Sequence, residues 1–103
     1  MKMYAMRKIG FGYTSGKTTD FTSVPGYDME KGAISCNKES RDILERVGYY
    51  PNKGTYLYNG AIAAVISRLT SLKVTGTKSN MIVKSLISFM TVCLEKGYDI
   101  RFW

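Results

Sequence analysis

Residues 79–103 read SNMIVKSLISFMTVCLEKGYDIRFW, and this stretch decides the fold. From Met81 to Leu94 apolar residues cover most of a helical circumference, and the polar residues are few, chiefly the narrow line Lys84, Ser88, Thr91 and Glu95. A helix so apolar must be covered on more than one side. Gly97 stops it. The period then changes from helical to alternating: Tyr98, Ile100 and Phe102 stand against Asp99, Arg101 and Trp103. That is a strand with one buried face, and a strand needs a partner.

The partner expected is a hairpin over residues 3–24. Ile9, Phe11 and Tyr13 alternate with Gly10, Gly12 and Thr14, and Ser15-Gly16 reads as the turn. Thr18, Thr19, Phe21, Thr22 and Val24 read as the returning strand, ended by Pro25-Gly26. Residues 25–36 read as a loop with a short extended piece at Ala33-Ile34. Two more helices lie between. Asn37 caps the first, Lys38 to Val47, which buries Ile43, Leu44 and Val47 and ends at Gly48. Thr55 to Tyr58 is expected as a short strand. Asn59 caps the second helix, about 60–73, whose stripe is Ile62, Val65, Ile66, Leu69 and Leu72. Ser79 or Asn80 caps the third. The expectation is one α+β domain over residues 1–103. A small antiparallel or mixed sheet, the N-terminal hairpin plus the C-terminal strand, packs against about three helices, with the third central.

The chain has 103 residues and a net charge of +7. That charge is uneven. Residues 1–19 carry Lys2, Arg7, Lys8 and Lys17 with no acid; residues 20–45 hold six acids against three cations; residues 46–94 carry six cations and no acid. An acid-free stretch of this length attracts polyanions or acidic protein surfaces. Its cations stand singly, so a merely lysine-rich solvated surface is the plain alternative.

Histidine is absent. Imidazole can therefore neither bind a metal nor act as a general base. Cys36 and Cys93 match no metal or redox motif and are expected as free thiols. The N-terminal residues lack the apolar core of a signal peptide, and the Met81–Leu94 run is too short and polar to span a bilayer. A cytoplasmic protein that does not engage membranes is expected.

Three motifs bear on function. Gly10 to Thr18 resembles a phosphate-binding loop only superficially: the spacing before Gly16-Lys17-Thr18 requires glycine where Phe11 stands, and no helix follows. What remains is a basic hairpin tip displaying Tyr13 and Lys17. Tyr49, Tyr50, Tyr56 and Tyr58 cluster around Lys53. Aromatics interleaved with cations suit single-strand stacking and equally suit protein hot spots; core packing is the ordinary alternative. Thr75 to Ser79 could be the turn of a helix-turn-helix, but the next helix begins Met81-Ile82-Val83, poor residues for reading bases.

The sequence thus points to a non-enzymatic binder that engages nucleic acid or a nucleoprotein complex, without cofactor or metal. Tyr13, Lys17, Tyr49, Tyr50, Lys53, Lys73 and Lys78 are its candidate contacts. A second reading is a small phage-type inhibitor or adaptor that docks on an acidic or nucleic-acid-binding host protein. A third is a histidine-free, toxin-like ribonuclease.

Overall fold

The computed structural model describes residues 1–103. Six strands form one sheet, and every pairing is antiparallel. The strands are β1 (Lys2–Ile9), β2 (Gly12–Ser15), β3 (Tyr27–Asp28), β4 (Ala33–Ser35), β5 (Tyr56–Leu57) and β6 (Asp99–Phe102). Their order is β3-β4-β1-β6-β5, with β2 paired to β1 alone. The helices are α1 (Lys38–Arg46), α2 (Asn59–Ser71) and α3 (Thr77–Lys96).

β1 is the inner strand. It pairs with β4 through Lys2–Tyr4 and with β6 through Met3–Met6. Strand alternation sorts its side chains. Met3 and Ala5 point with Ile34, Leu57, Ile100 and Phe102 into the core. Nineteen buried residues form that core, and all three helices contribute, with Leu44, Ile62, Leu69, Leu86, Phe89 and Met90 among them. α3 contacts α1, α2 and β6, which is why its apolar surface is so broad.

Local chemistry explains the helix ends. The Asn37 carboxamide oxygen accepts the Ser40 amide at 3.0 Å, so α1 is capped where the sequence indicates. Gly48 and Gly97 follow α1 and α3 as expected. At the other two starts the side chains serve differently. Asn59 is the first residue of α2, and its side chain donates to the carbonyls of Cys93 and Tyr98 at 3.0 and 2.9 Å. α3 begins at Thr77 after Gly76, and Asn80 donates its side-chain amide back to the Gly76 carbonyl.

The N-terminal hairpin turns earlier than its alternation suggests. Ile9 pairs with Gly12, so the turn is Gly10-Phe11 and not Ser15-Gly16. Gly10 has φ +53° while Phe11 does not share a positive φ, as a type II′ turn demands of its first central residue. The expected returning strand over 18–24 is absent. Thr18–Phe21 is one turn of 3-10 helix instead, and a short strand at Tyr27–Asp28 occupies part of the expected loop. Burial overrides β-propensity here: Phe21 is fully buried and stacks on Tyr27, Phe89 and Tyr98. Gly16 allows the approach, because a Cβ there would lie 3.0 Å from the Tyr98 ring.

Both cysteines are free and buried, and burial pushes the Cys36 thiol up to about 11. That leaves it protonated and unreactive near neutrality. No helix is long and apolar enough to cross a membrane.

Candidate nucleic-acid interface

The sheet's second face is not covered by helices. Register assigns to it Lys2, Tyr4, Met6 and Lys8 of β1, Tyr13 of β2, Tyr56 of β5, and Asp99 and Arg101 of β6. Trp103 continues the β6 side, with its amide bonded to the Lys2 carbonyl. These side chains are half-buried or exposed, apart from Asp99.

Aromatic rings are organised across this face. Tyr13 reaches over β1 and stacks on Tyr56, with centroids 5.0 Å apart and planes 20° apart. Tyr56 stacks on Tyr58 at 6.0 Å and 10°. Tyr58 is 60% exposed and ends the column. Beside it, Trp103 is 51% exposed and carries two cations: Arg101 Cζ lies 4.6 Å and Lys53 Nζ 4.9 Å from its ring centre. Gly54, whose backbone takes the left-handed φ of +87°, lies against this ring.

Asp99 is the carboxylate at the centre, and both of its oxygens are engaged. Oδ2 accepts the Tyr13 hydroxyl at 2.8 Å; Oδ1 accepts the Asn59 amide at 2.7 Å. The second bond puts a negative charge at the N-terminus of α2, where the helix dipole favours it. The first fixes the tyrosine column. It also holds the Tyr13 hydroxyl protonated: its pKa is raised from the usual 10.0 to about 12, chiefly by that hydrogen bond, then by desolvation. At the far edge, Asp28 accepts the amides of Glu30 and Lys31. The cations Lys2, Lys8, Arg101 and Lys53 make no salt bridge, because the two ion pairs of the molecule are Lys38–Asp42 and Lys78–Glu39.

The seven residues expected from sequence do not gather in one place. Tyr13 and Lys53 belong to this face. Lys17 follows β2; its amide donates to the Tyr98 hydroxyl at 3.2 Å and its side chain is exposed. Tyr50 is exposed in the loop before β5. Tyr49 packs inward on Phe102 at 5.5 Å, and burial raises its hydroxyl pKa. Lys73 and Lys78 lie in the helical layer. The Lys73 carbonyl accepts from Arg46, and Lys78 is paired with Glu39 at 2.9 Å. Tyr56, Tyr58, Arg101 and Trp103 complete the face. The tyrosines were visible as a cluster in the sequence. Trp103 and Arg101 were visible as the second face of an alternating strand.

A groove of about 710 Å³ lies between the start of α1, β4 and the first half of α3. Ile34, Met81, Ile82 and Leu86 line it, with Lys78 and Lys84 at its rim. No aromatic ring enters it. No protein-family model, curated protein or solved structure matches this chain.

Proposed function

We propose that the open sheet face binds single-stranded nucleic acid, and that the chain acts as a binder and not as an enzyme. The observation that carries this is the stacked Tyr13–Tyr56–Tyr58 column beside the cation-flanked Trp103. Bases stack on aromatic faces whatever their sequence, each contributing about 1–3 kcal/mol. Tyr58 offers the exposed end of the column, and Trp103 offers a second platform. Lys2, Lys8, Lys53 and Arg101 stand among the rings, none of them in a salt bridge, and can follow phosphates. A duplex hides its base faces and fits such a surface poorly. A protein hot spot places its anchors in pockets, whereas this face is broad and flat-ringed. The groove beside α3 holds no aromatic ring.

Trp103 is the only tryptophan, so its fluorescence reports this face alone. Titration with single-stranded and duplex DNA and RNA should quench it, with single strands preferred. For three to four phosphate contacts, log affinity should fall against log salt with a slope of about −2 to −3. Equal, weak binding of all forms that leaves Trp103 unquenched would refute the reading. Such a result would turn attention to a protein partner.

A further inference from the structure

The N-terminal hairpin runs past the rest of the sheet. Beyond Met6, β1 has no partner except β2. Residues 7–12 are exposed along their whole length, and the molecule is drawn out to 42 Å along one axis against 25 and 23 Å along the others. A bare two-stranded ribbon has little stability of its own. At its end stand two apolar side chains: Phe11 is entirely exposed and Ile9 is 49% exposed. The turn requires glycine at position 10 but makes no demand for an aromatic at position 11. Asn, Asp or Ser would serve there and stay hydrated. The ring is therefore presented outward, with no role in the fold.

The surroundings specify its partner. Arg7 and Lys8 stand on opposite faces of the ribbon and Lys17 at its base, none of them in a salt bridge, and no carboxylate occurs in residues 1–19. A polyanion suits that charge. The ribbon is also continuous with the tyrosine column. Tyr13 lies opposite Lys8, two residues after Phe11 of the turn. Two side chains offer too little apolar area to hold a lipid surface, but one flat ring matches the end of a base-pair stack.

We propose that the hairpin is a wedge for the junction between single strand and duplex: Phe11 packs on the terminal base pair while Arg7, Lys8 and Lys17 hold the flanking phosphates. This rests on the single-strand reading of the open face, and it names the preferred substrate as a duplex with a single-stranded tail.

The test compares a tailed duplex, the tail alone and the blunt duplex, with 2-aminopurine in the terminal pair of the tailed probe. The wild type should bind the tailed duplex about tenfold more tightly than the tail, and the 2-aminopurine signal should change as its stacking changes. Phe11→Ser should bring the tailed duplex to the affinity of the tail and leave tail binding within about twofold, since it removes one stacking contact. Its melting temperature should not move, because the ring touches no core residue. A retained preference in Phe11→Ser, or equal wild-type affinity for tail and tailed duplex, overturns the wedge. Phe11-dependent sedimentation with phosphatidylcholine–phosphatidylserine vesicles, without a junction preference, overturns it in favour of a membrane surface. If the tail alone is not bound but Phe11-dependent binding of the tailed duplex persists, the wedge is supported and the open-face reading fails.

Discussion

Phe102 and Trp103 are adjacent in the chain and meet opposite conditions. Phe102 has no exposed surface and lies in the core; Trp103 has half of its surface in water, beside two cations. The same contrast holds along β1, where Met3 and Ala5 face the helices while Tyr4 and Lys8 face out. One face of the sheet is specified by the need to fill volume without cavities. The other is under no such need, yet it carries stacked rings and cations outside any salt bridge. Large aromatics that the fold does not require are the stronger pointer to function.

This contrast can be broken by mutation. Phe102→Ala should cost about 3–5 kcal/mol of stability, because a buried ring leaves a cavity; urea denaturation measures it. Trp103→Ala should cost less than about 1 kcal/mol of stability, the scale of an exposed cation–π contact. The same variant should weaken single-strand binding about tenfold by anisotropy. If Trp103→Ala proves as destabilising as Phe102→Ala, both faces are structural and the functional reading of the open one collapses.

Asp99→Asn tests the link between the two layers. It removes the charge at the start of α2 and should cost about 1 kcal/mol. Tyr13 should then ionise nearer 10.0 than 12, as tyrosinate absorbance would show. The pH dependence follows in sign. Because the folded state holds the Tyr13 proton more tightly, this contribution is complete below pH 10.0 and is lost as pH rises towards about 12. Tyr13→Phe should lack that loss in an alkaline denaturation series. The smallest effect belongs to the exposed Lys38–Asp42 pair, 3.1 Å apart, where Lys38→Ala should change stability by less than about 0.5 kcal/mol.

Much of the fold was legible because its signals are local. α1 lies between the Asn37 cap and Gly48, and β6 follows the alternation after Gly97 except at Asp99, which is buried by its hydrogen bonds. The hairpin misled for a geometric reason. Ile9, Phe11 and Tyr13 alternate in sequence, but a two-residue turn intervenes, so Tyr13 shares a face with Lys8 and not with Ile9. Thr18–Phe21 misled because Phe21 is set by distant rings. The candidate site was half legible. The tyrosine cluster could be read, but Tyr49 turns inward, and nothing local distinguishes it from Tyr50. Lys73 and Lys78 share the acid-free stretch with Lys53, yet the fold separates them from it. Composition records how many cations there are, and only pairing records where they meet.

The position of β1 bears on how the chain is made. It is an early segment at the middle of the sheet, and its long inner edge is closed by β6, with Met3 opposite Phe102. During synthesis β1 is made before β6 and must wait for the intervening helices before that edge is satisfied. The helices can form as they emerge, but the sheet that organises their core cannot. Pairing across so great a sequence separation is slow to find. Closure of the sheet should therefore wait until β6 has emerged, and a nascent chain arrested before β6 should remain open to protease.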